Sequence, residues 1–187
     1  ALALIEDGEI KIGVLGCPNM KGPRDVPGAI FLAAQGQPPV QISLHDLSQT
    51  SAISVSDVAI PALGTICESV EIAHSNHGAS AQIASALGIQ NPPFRIDSQC
   101  KYAAVARGDA SIYLRLPTNI AYQEKIWDHA AGVAVIQAAG GMVSDVEGKP
   151  LDFTCGHLLK NNRGVVATGG TIHAQVLEAA QKVLKLI

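Results

Sequence analysis

The chain has 187 residues, of which 48% are hydrophobic and 16% are charged, and its formal net charge is −3. This length and composition suit a single unit with a sizeable core and exclude an intrinsically disordered chain. The weakly acidic balance argues against a protein that binds nucleic-acid backbones broadly, although a local basic pocket remains compatible with it.

The sequence carries no sign of a membrane span, because no apolar run reaches the length that a spanning helix needs. The four cysteines lie far apart and follow neither a metal-binding nor a redox spacing. We therefore expect reduced thiols in a cytoplasmic protein.

Turn residues divide the first part of the chain into two predicted hairpins. Asp7-Gly8 is typical of a tight hairpin turn between short apolar strands. The predicted segments, in order, are a strand at 1–5, a strand at 9–15, a loop at 18–27, strands at 28–34 and 40–44, and an undetermined stretch at 48–64.

The rest of the chain alternates between predicted strands and helices. The segment 128–139 is apolar all round, which predicts a buried helix. The other predicted segments are a strand at 69–73, a helix capped by Ser75-Asn76 and ended by Gly88, a helix at 101–107, strands at 111–116, 142–146 and 163–168, and a last helix capped by Thr171. Strands that alternate with helices after an antiparallel opening indicate the α/β class.

The segment Trp127-Asp128-His129-Ala130-Ala131-Gly132 carries the strongest chemical pattern. An aspartate that opens a helix of small residues is most simply an N-cap, which accepts backbone N–H bonds. The same carboxylate could instead hold a metal while the helix N-terminus faces a phosphate. This segment by itself favours the capping interpretation.

Together with Ala139-Gly140-Gly141 and Leu151-Asp152-Phe153, this segment resembles the second signature of the inositol monophosphatase superfamily. The resemblance implies that Asp128 is a magnesium ligand in the catalytic centre. It also implies that residues 1–187 form the C-terminal half of the layered αβαβα sugar-phosphatase fold. Magnesium prefers hard oxygen ligands, which agrees with a carboxylate at this place.

Four further segments resemble the bisphosphate nucleotidase branch of that superfamily. They are Glu71 to Ser75, Asp97 to Tyr102, Ile112 to Pro117 and Tyr122 to Ile126. Carried over one residue at a time, the resemblance implies that the nucleotide and its phosphates are bound by His74, Ser98, Lys101 and Arg115, with Glu124 close to the sugar.

Each of these residues has an ordinary structural interpretation as well. A lone arginine at a strand end is usually a solvated charge, and a lone histidine is usually a satisfied hydrogen-bonding residue. Glu124 could form a surface ion pair. Since magnesium prefers oxygen, His129 is expected to pack behind the metal ligand and not to bind the metal.

The resemblance implies a magnesium-dependent, lithium-sensitive phosphatase that converts adenosine 3',5'-bisphosphate to AMP. The sulfated nucleotide 3'-phosphoadenosine 5'-phosphosulfate is a second expected substrate. The superfamily's first signature, Asp-Pro-[Ile/Leu]-Asp-Gly-Thr, does not occur in the 187 residues. We therefore expect an N-terminal metal-binding half of the same enzyme as the partner of this chain, and we expect the chain alone to be inactive.

Three alternatives remain beside this interpretation. The first is a phosphatase for inositol phosphates, and the second is a non-catalytic domain that keeps a nucleotide pocket without metals. The third, a dinucleotide-binding domain, is disfavoured because no Gly-x-Gly-x-x-Gly follows a predicted strand.

Overall fold

A computed structural model of the chain describes residues 1–70, 77–117 and 122–187. The strands within these ranges are β1 (Leu2–Glu6), β2 (Glu9–Lys21), β3 (Pro27–Ala34), β4 (Val40–Ser43), β5 (Thr50–Ala52), β6 (Ile66–Glu68), β7 (Phe94–Arg95), β8 (Ile112–Arg115), β9 (Gly141–Ser144) and β10 (Val165–Gly169). The helices are α1 (His77–Ala86), α2 (Cys100–Ala106), α3 (Ala130–Ala138) and α4 (His173–Val183).

The first sheet is a five-stranded antiparallel meander in the order β1-β2-β3-β4-β5. Asp7 and Gly8 connect its first two strands, and both have a positive φ, of 51° and 81°. Two successive residues with positive φ are what a type I′ hairpin turn requires. The two hairpins predicted from the sequence are confirmed.

The second sheet is mixed, with the order β7-β6-β8-β10-β9. Strand β6 runs parallel to its neighbours β7 and β8, whereas β10 runs antiparallel to both of its neighbours. Parallel neighbours need crossover connections, which the helical segments between them supply. The predicted α/β class with an antiparallel opening is therefore confirmed.

The elements stack in alternating layers. Helices α2 and α3 lie between the two sheets, and α1 and α4 pair on the other side of the second sheet. An inner core cluster joins the first sheet, α2 and α3 to one face of the second sheet, and an outer cluster joins the other face of the second sheet to α1 and α4. The predicted burial of α3 is confirmed, because most of its side chains are enclosed by this middle layer.

The predicted loop at 18–27 is wrong over its first part, because β2 continues through Lys21. The pairing register between β2 and β3 shifts between Cys17 and Lys21. Pro18 lies in that irregular stretch, where the missing N–H of proline disturbs no regular ladder. A short 3-10 turn at Pro23–Asp25 then leads into β3.

The strand predicted at 69–73 is also misplaced. The strand is β6, which ends at Glu68, and residues 71–76, including the predicted cap Ser75-Asn76, lie outside the described residues. Thr171 does not cap the last helix, because it lies inside a 3-10 turn at Gly170–Ile172 that leads into α4 without a side-chain cap.

The predicted free thiols agree with the structure, in which all four cysteines are unpaired. Among the helices of the described ranges, none combines the length and apolar character that crossing a membrane would require.

Candidate active site

A cavity of about 390 Å³ opens where the N-terminal ends of α2 and α3 meet β8. Its lining contains most of the residues that the sequence singled out, although they are far apart in the chain. The lining residues are Ser69, Ser98, Gln99, Lys101, Tyr102, Tyr113, Arg115, Glu124, Asp128 and His129. The predicted site residue His74 lies outside the described residues.

Lys101 is a buried cation at the base of this cavity, with only 6% of its surface exposed. Its Nζ donates to Ser69 Oγ at 3.1 Å and lies 5.6 Å from the ring centroid of Tyr113. Burial, reinforced by the nearby charge of Arg115, lowers the pKa of Lys101. A poorly solvated ammonium that donates to a neutral hydroxyl is well suited to binding an anion that enters the cavity.

The alternation of side chains along β8 places Arg115 at the cavity. Ile112 and Leu114 belong to the core on the side of α1 and α4, whereas Tyr113 belongs to the inner core on the side of α2 and α3. Since side chains two apart lie on the same face of a strand, Arg115 shares the inner side with Tyr113. The expectation of a merely solvated arginine does not hold, because this side chain is only 34% exposed and forms an ion pair.

Glu124 is the ion-pair partner of Arg115, and it is only 5% exposed. Its Oε1 accepts from Arg115 Nε at 3.1 Å, and its Oε2 accepts from His129 Nε2 at 3.1 Å. Burial raises the pKa of Glu124, but the hydrogen bonds and charges of His129 and Arg115 outweigh it and lower the pKa overall. Glu124 is therefore a buried carboxylate, and not a surface charge.

His129 continues this chain of contacts into the protein. Its Nδ1 lies 2.7 Å from the hydroxyl of Tyr102, whose pKa is raised well above its ordinary value by burial. Tyr102 in turn fits only because residue 132 is glycine. A Cβ at Gly132 would lie 2.2 Å from Cγ of Tyr102. The small residue in the sequence pattern thus makes room for a buried ring.

Asp128 lies at the exposed mouth of the cavity. It belongs to a 3-10 turn at Ile126–Asp128, and α3 begins only at Ala130 with His129 in the N-cap position and no side-chain cap. The predicted helix start at Asp128 is therefore wrong by two residues. The simple capping interpretation has no support, because the carboxylate precedes the position that a cap occupies.

A side-chain contact connects the two loops that border the cavity mouth. Gln99 Nε2 donates to the backbone carbonyl of Trp127 at 2.7 Å, next to Asp128. Ser98 precedes it with a positive φ of 61°, and its Oγ accepts from the N–H of Cys100. This contact fixes the peptide before Asp128 relative to the turn that carries Ser98.

The sequence did not single out Ser69, Gln99, Tyr102 or Tyr113 as site residues, although the structure places them in the lining. The alternation of β8 is a signal that could have identified Tyr113, which is two residues before Arg115. The contact between Ser69 and Lys101 joins residues 32 positions apart. No local pattern indicates such a contact.

The donor set at the cavity fits magnesium at one carboxylate. Magnesium is commonly held by one or two carboxylates together with waters and substrate phosphate oxygens. Asp128 offers such a group, whereas both oxygens of Glu124 are already hydrogen-bonded. Across 1–70, 77–117 and 122–187, no group of three or more His, Cys, Asp or Glu side chains is arranged to hold a metal.

The family follows from the whole chain. The profile of the inositol monophosphatase family matches residues 1–185. The chain therefore belongs to the inositol monophosphatase family, as the second signature indicated.

The chain is also similar over nearly its whole length to relatives named 3'(2'),5'-bisphosphate nucleotidase. One from Emericella nidulans is 42% identical over 204 residues, which cover 99% of this chain and 57% of the relative. One from Schizosaccharomyces pombe is 45% identical over 188 residues, which cover 97% of this chain and 53% of the relative. The chain thus spans about half the length of the curated relatives it matches.

Solved structures support the fold. An IMPase from Thermotoga maritima superposes with a TM-score of 0.67 at 19% identity, covering 98% of this chain and 61% of the other. SuhB from Mycobacterium tuberculosis gives a TM-score of 0.68 at 17% identity, covering 99% and 64%. The predicted inositol monophosphatase-like fold is confirmed.

Proposed function

We propose that this chain forms the nucleotide-binding side of a metal-dependent phosphatase that converts adenosine 3',5'-bisphosphate to AMP. The observation that carries the proposal is the single cavity that gathers Ser98, Lys101, Arg115, Glu124 and Asp128. The relatives that are 42–45% identical to this chain share a name that supports the same substrate class.

The proposed substrate matches the cavity in charge. Lys101 and Arg115 supply two cationic side chains of different kinds, a point charge and a planar fork, for the anionic groups of the nucleotide. Both are partly or wholly withdrawn from water, so their attraction for phosphate is screened less than at a surface. The hydroxyl of Ser98 adds one further possible donor.

Asp128 is the residue that would hold magnesium at the mouth of the cavity. Bound there, the ion would offset negative charge on the phosphate and on the oxygen that leaves. The cationic side chains of the cavity orient the nucleotide, so that its 3'-phosphate is presented to this carboxylate side. Such orientation removes an entropic part of the barrier.

The remaining metal ligands are proposed to come from outside these 187 residues, in an N-terminal half of the same enzyme. One carboxylate binds hydrated magnesium weakly, and a clamp on both sides of a phosphate needs further ligands. We expect the 187 residues expressed alone to release no phosphate from the nucleotide. Phosphate release that follows the protein through gel filtration and disappears in Asp128→Asn would contradict this expectation.

The direct test compares substrates in the full-length protein with magnesium. Initial rates are measured on adenosine 3',5'-bisphosphate, 3'-phosphoadenosine 5'-phosphosulfate and inositol 1-phosphate. We expect kcat/KM to be at least about tenfold higher for the bisphosphate than for the inositol phosphate, because only the nucleotide presents two anionic groups.

The two alternative functions give different results in the same test. A preference for inositol 1-phosphate would assign the protein to inositol phosphate hydrolysis. Tight binding of the nucleotide without phosphate release at any magnesium concentration would instead indicate a non-catalytic binding protein.

A further inference from the structure

A continuous chain of hydrogen bonds runs from the cavity into the core behind Arg115. It passes from Arg115 Nε to Glu124 at 3.1 Å, from Glu124 to His129 Nε2 at 3.1 Å, and from His129 Nδ1 to the hydroxyl of Tyr102 at 2.7 Å. All four side chains contribute to the cavity lining, but among them only Arg115 is substantially exposed to solvent. Glu124, His129 and Tyr102 are buried.

The chemistry of the groups fixes the direction of the contact between Glu124 and His129. An ionised carboxylate only accepts hydrogen bonds, so His129 Nε2 must carry a proton. The hydroxyl of Tyr102 is the hydrogen-bond partner of Nδ1. The contact with Tyr102 fixes the orientation of the imidazole, and the imidazole in turn fixes the position of Glu124 Oε2.

The tyrosine end of the chain is rigid. The ring of Tyr102 packs edge-on against Tyr113, with centroids 5.0 Å apart and an interplanar angle of 78°. It also occupies the space that the missing Cβ of Gly132 leaves. A buried ring held on two sides cannot follow a displaced histidine, so the position of the hydroxyl is set by the core.

We propose that His129 is a positioning residue for Arg115. Supported by Tyr102, it holds Glu124 so that the carboxylate orients the guanidinium toward the phosphate of the nucleotide, and neither His129 nor Tyr102 need touch the substrate. The inference rests on the proposed function, because it takes the ligand of Arg115 to be a nucleotide phosphate.

The alternative is that His129 only stabilises the fold, and a double-mutant cycle separates the two roles. Affinity for adenosine 3',5'-bisphosphate is measured by calorimetry in the full-length protein without metal, for His129→Phe, Arg115→Ala and the pair. If His129 acts through Arg115, its effect should vanish once the arginine is absent. A purely structural role would give the same fold-change in both backgrounds.

We expect His129→Phe to weaken binding by about tenfold, the scale of one hydrogen bond to a charged group. In the Arg115→Ala background the same change should alter affinity by less than about twofold. His129→Gln keeps an amide donor for Glu124 and should retain more affinity than His129→Phe. Tyr102→Phe, which removes one hydroxyl, should weaken binding by a smaller factor and show the same coupling.

The matched control is His173→Phe, which makes the same substitution at another buried, doubly hydrogen-bonded histidine that is absent from the cavity lining. It should lower thermal stability comparably and leave the affinity within about twofold.

Should His129→Phe fail to fold, the cycle between Tyr102→Phe and Arg115→Ala decides. Equal fold-changes with and without Arg115 would overturn the inference while leaving the proposed function intact, whereas a wild-type protein that does not bind the nucleotide would overturn both.

Discussion

Two buried histidines, His129 and His173, occupy similar environments and are involved in different kinds of network. Their surfaces are 1% and 5% exposed, and both ring nitrogens of each are hydrogen-bonded. His173 lies between Ser144 and Thr168, with both contacts at 2.9 Å. The network of His129 instead includes Glu124 and leads to Arg115 at an open cavity.

The difference shows what distinguishes a supporting network from a structural one. The hydroxyl of Ser144 donates to the carbonyl of Asp145, so it accepts from Nε2 of His173, and Nδ1 accepts from Thr168. That network is neutral and closed within the core. The network of His129 contains a carboxylate and a guanidinium, and charges are buried only where a strong partner compensates for the lost water. Substitutions in the network of His173 should alter stability, and substitutions in the network of His129 should alter binding and turnover.

The largest effect is expected for Asp128→Asn, in the cavity next to His129. The change keeps the size of the side chain and removes the charge that would hold magnesium. We expect kcat of the full-length protein to fall by about 100-fold or more, with little change in Tm because the residue is exposed. Asp25→Asn serves as a control, because that carboxylate pairs with Lys21 outside the cavity. Near-normal turnover of Asp128→Asn at low magnesium would exclude the ligand role.

Arg115→Ala should have the next largest effect, on binding more than on turnover. It removes the proposed phosphate partner and leaves Glu124 buried without its arginine, so KM for adenosine 3',5'-bisphosphate should rise by about 10- to 100-fold. The rise should be smaller for inositol 1-phosphate, which lacks the second anionic group. Arg95→Ala, at an exposed ion pair on β7, is the control. Equal losses on both substrates would indicate that Arg115 does not recognise the nucleotide.

Gly132→Ala should affect stability and binding together. The added Cβ would lie 2.2 Å from Cγ of Tyr102, so the ring that contacts His129 must shift. We expect the free energy of unfolding to fall by about 1–3 kcal/mol, as for other overpacked cores, and nucleotide affinity to fall with it. Gly16→Ala is the control, because a Cβ there meets nothing within 4 Å. Denaturant unfolding would measure the stability and calorimetry the affinity. Unchanged affinity in a destabilised variant would mean that Tyr102 does not contribute to nucleotide binding.

The sequence predicted the parts of this site that a local motif encodes. That Asp128 belongs to the site was expected from a run of adjacent residues and the family they resemble, and Ser98 and Lys101 were expected from another such run; all three line the cavity. The position of Asp128 before the helix was not predicted, since local propensity rarely separates a 3-10 turn from a helix start. The burial of Glu124 could not be predicted either, because it depends on contacts that only the packing of α2, α3 and β8 creates.

The fold shows the same division between local and long-range information. The turn at Asp7-Gly8 and the helix end at Gly88 were predicted because glycine and aspartate favour positive φ, which these residues adopt. The extension of β2 through Pro18 depends on an irregular register with a neighbouring strand, and the pattern of one strand carries no information about it.

The smallest expected effect is the dependence of stability on pH at His173. Burial lowers the pKa of His173 in the folded protein below the ordinary value of 6.5. The unfolded chain therefore takes up the proton first, and the free energy of unfolding should fall as the pH drops below about 6.5 until the pH reaches the folded pKa.

The difference between wild type and His173→Phe isolates this contribution, because other titrating groups are common to both. Urea unfolding between about pH 7 and pH 5 should therefore show a steeper loss of stability for wild type than for the variant. Parallel losses would mean that the neutral network of Ser144, His173 and Thr168 does not resist protonation, and the contrast with the charged network of His129 would lose its electrostatic basis.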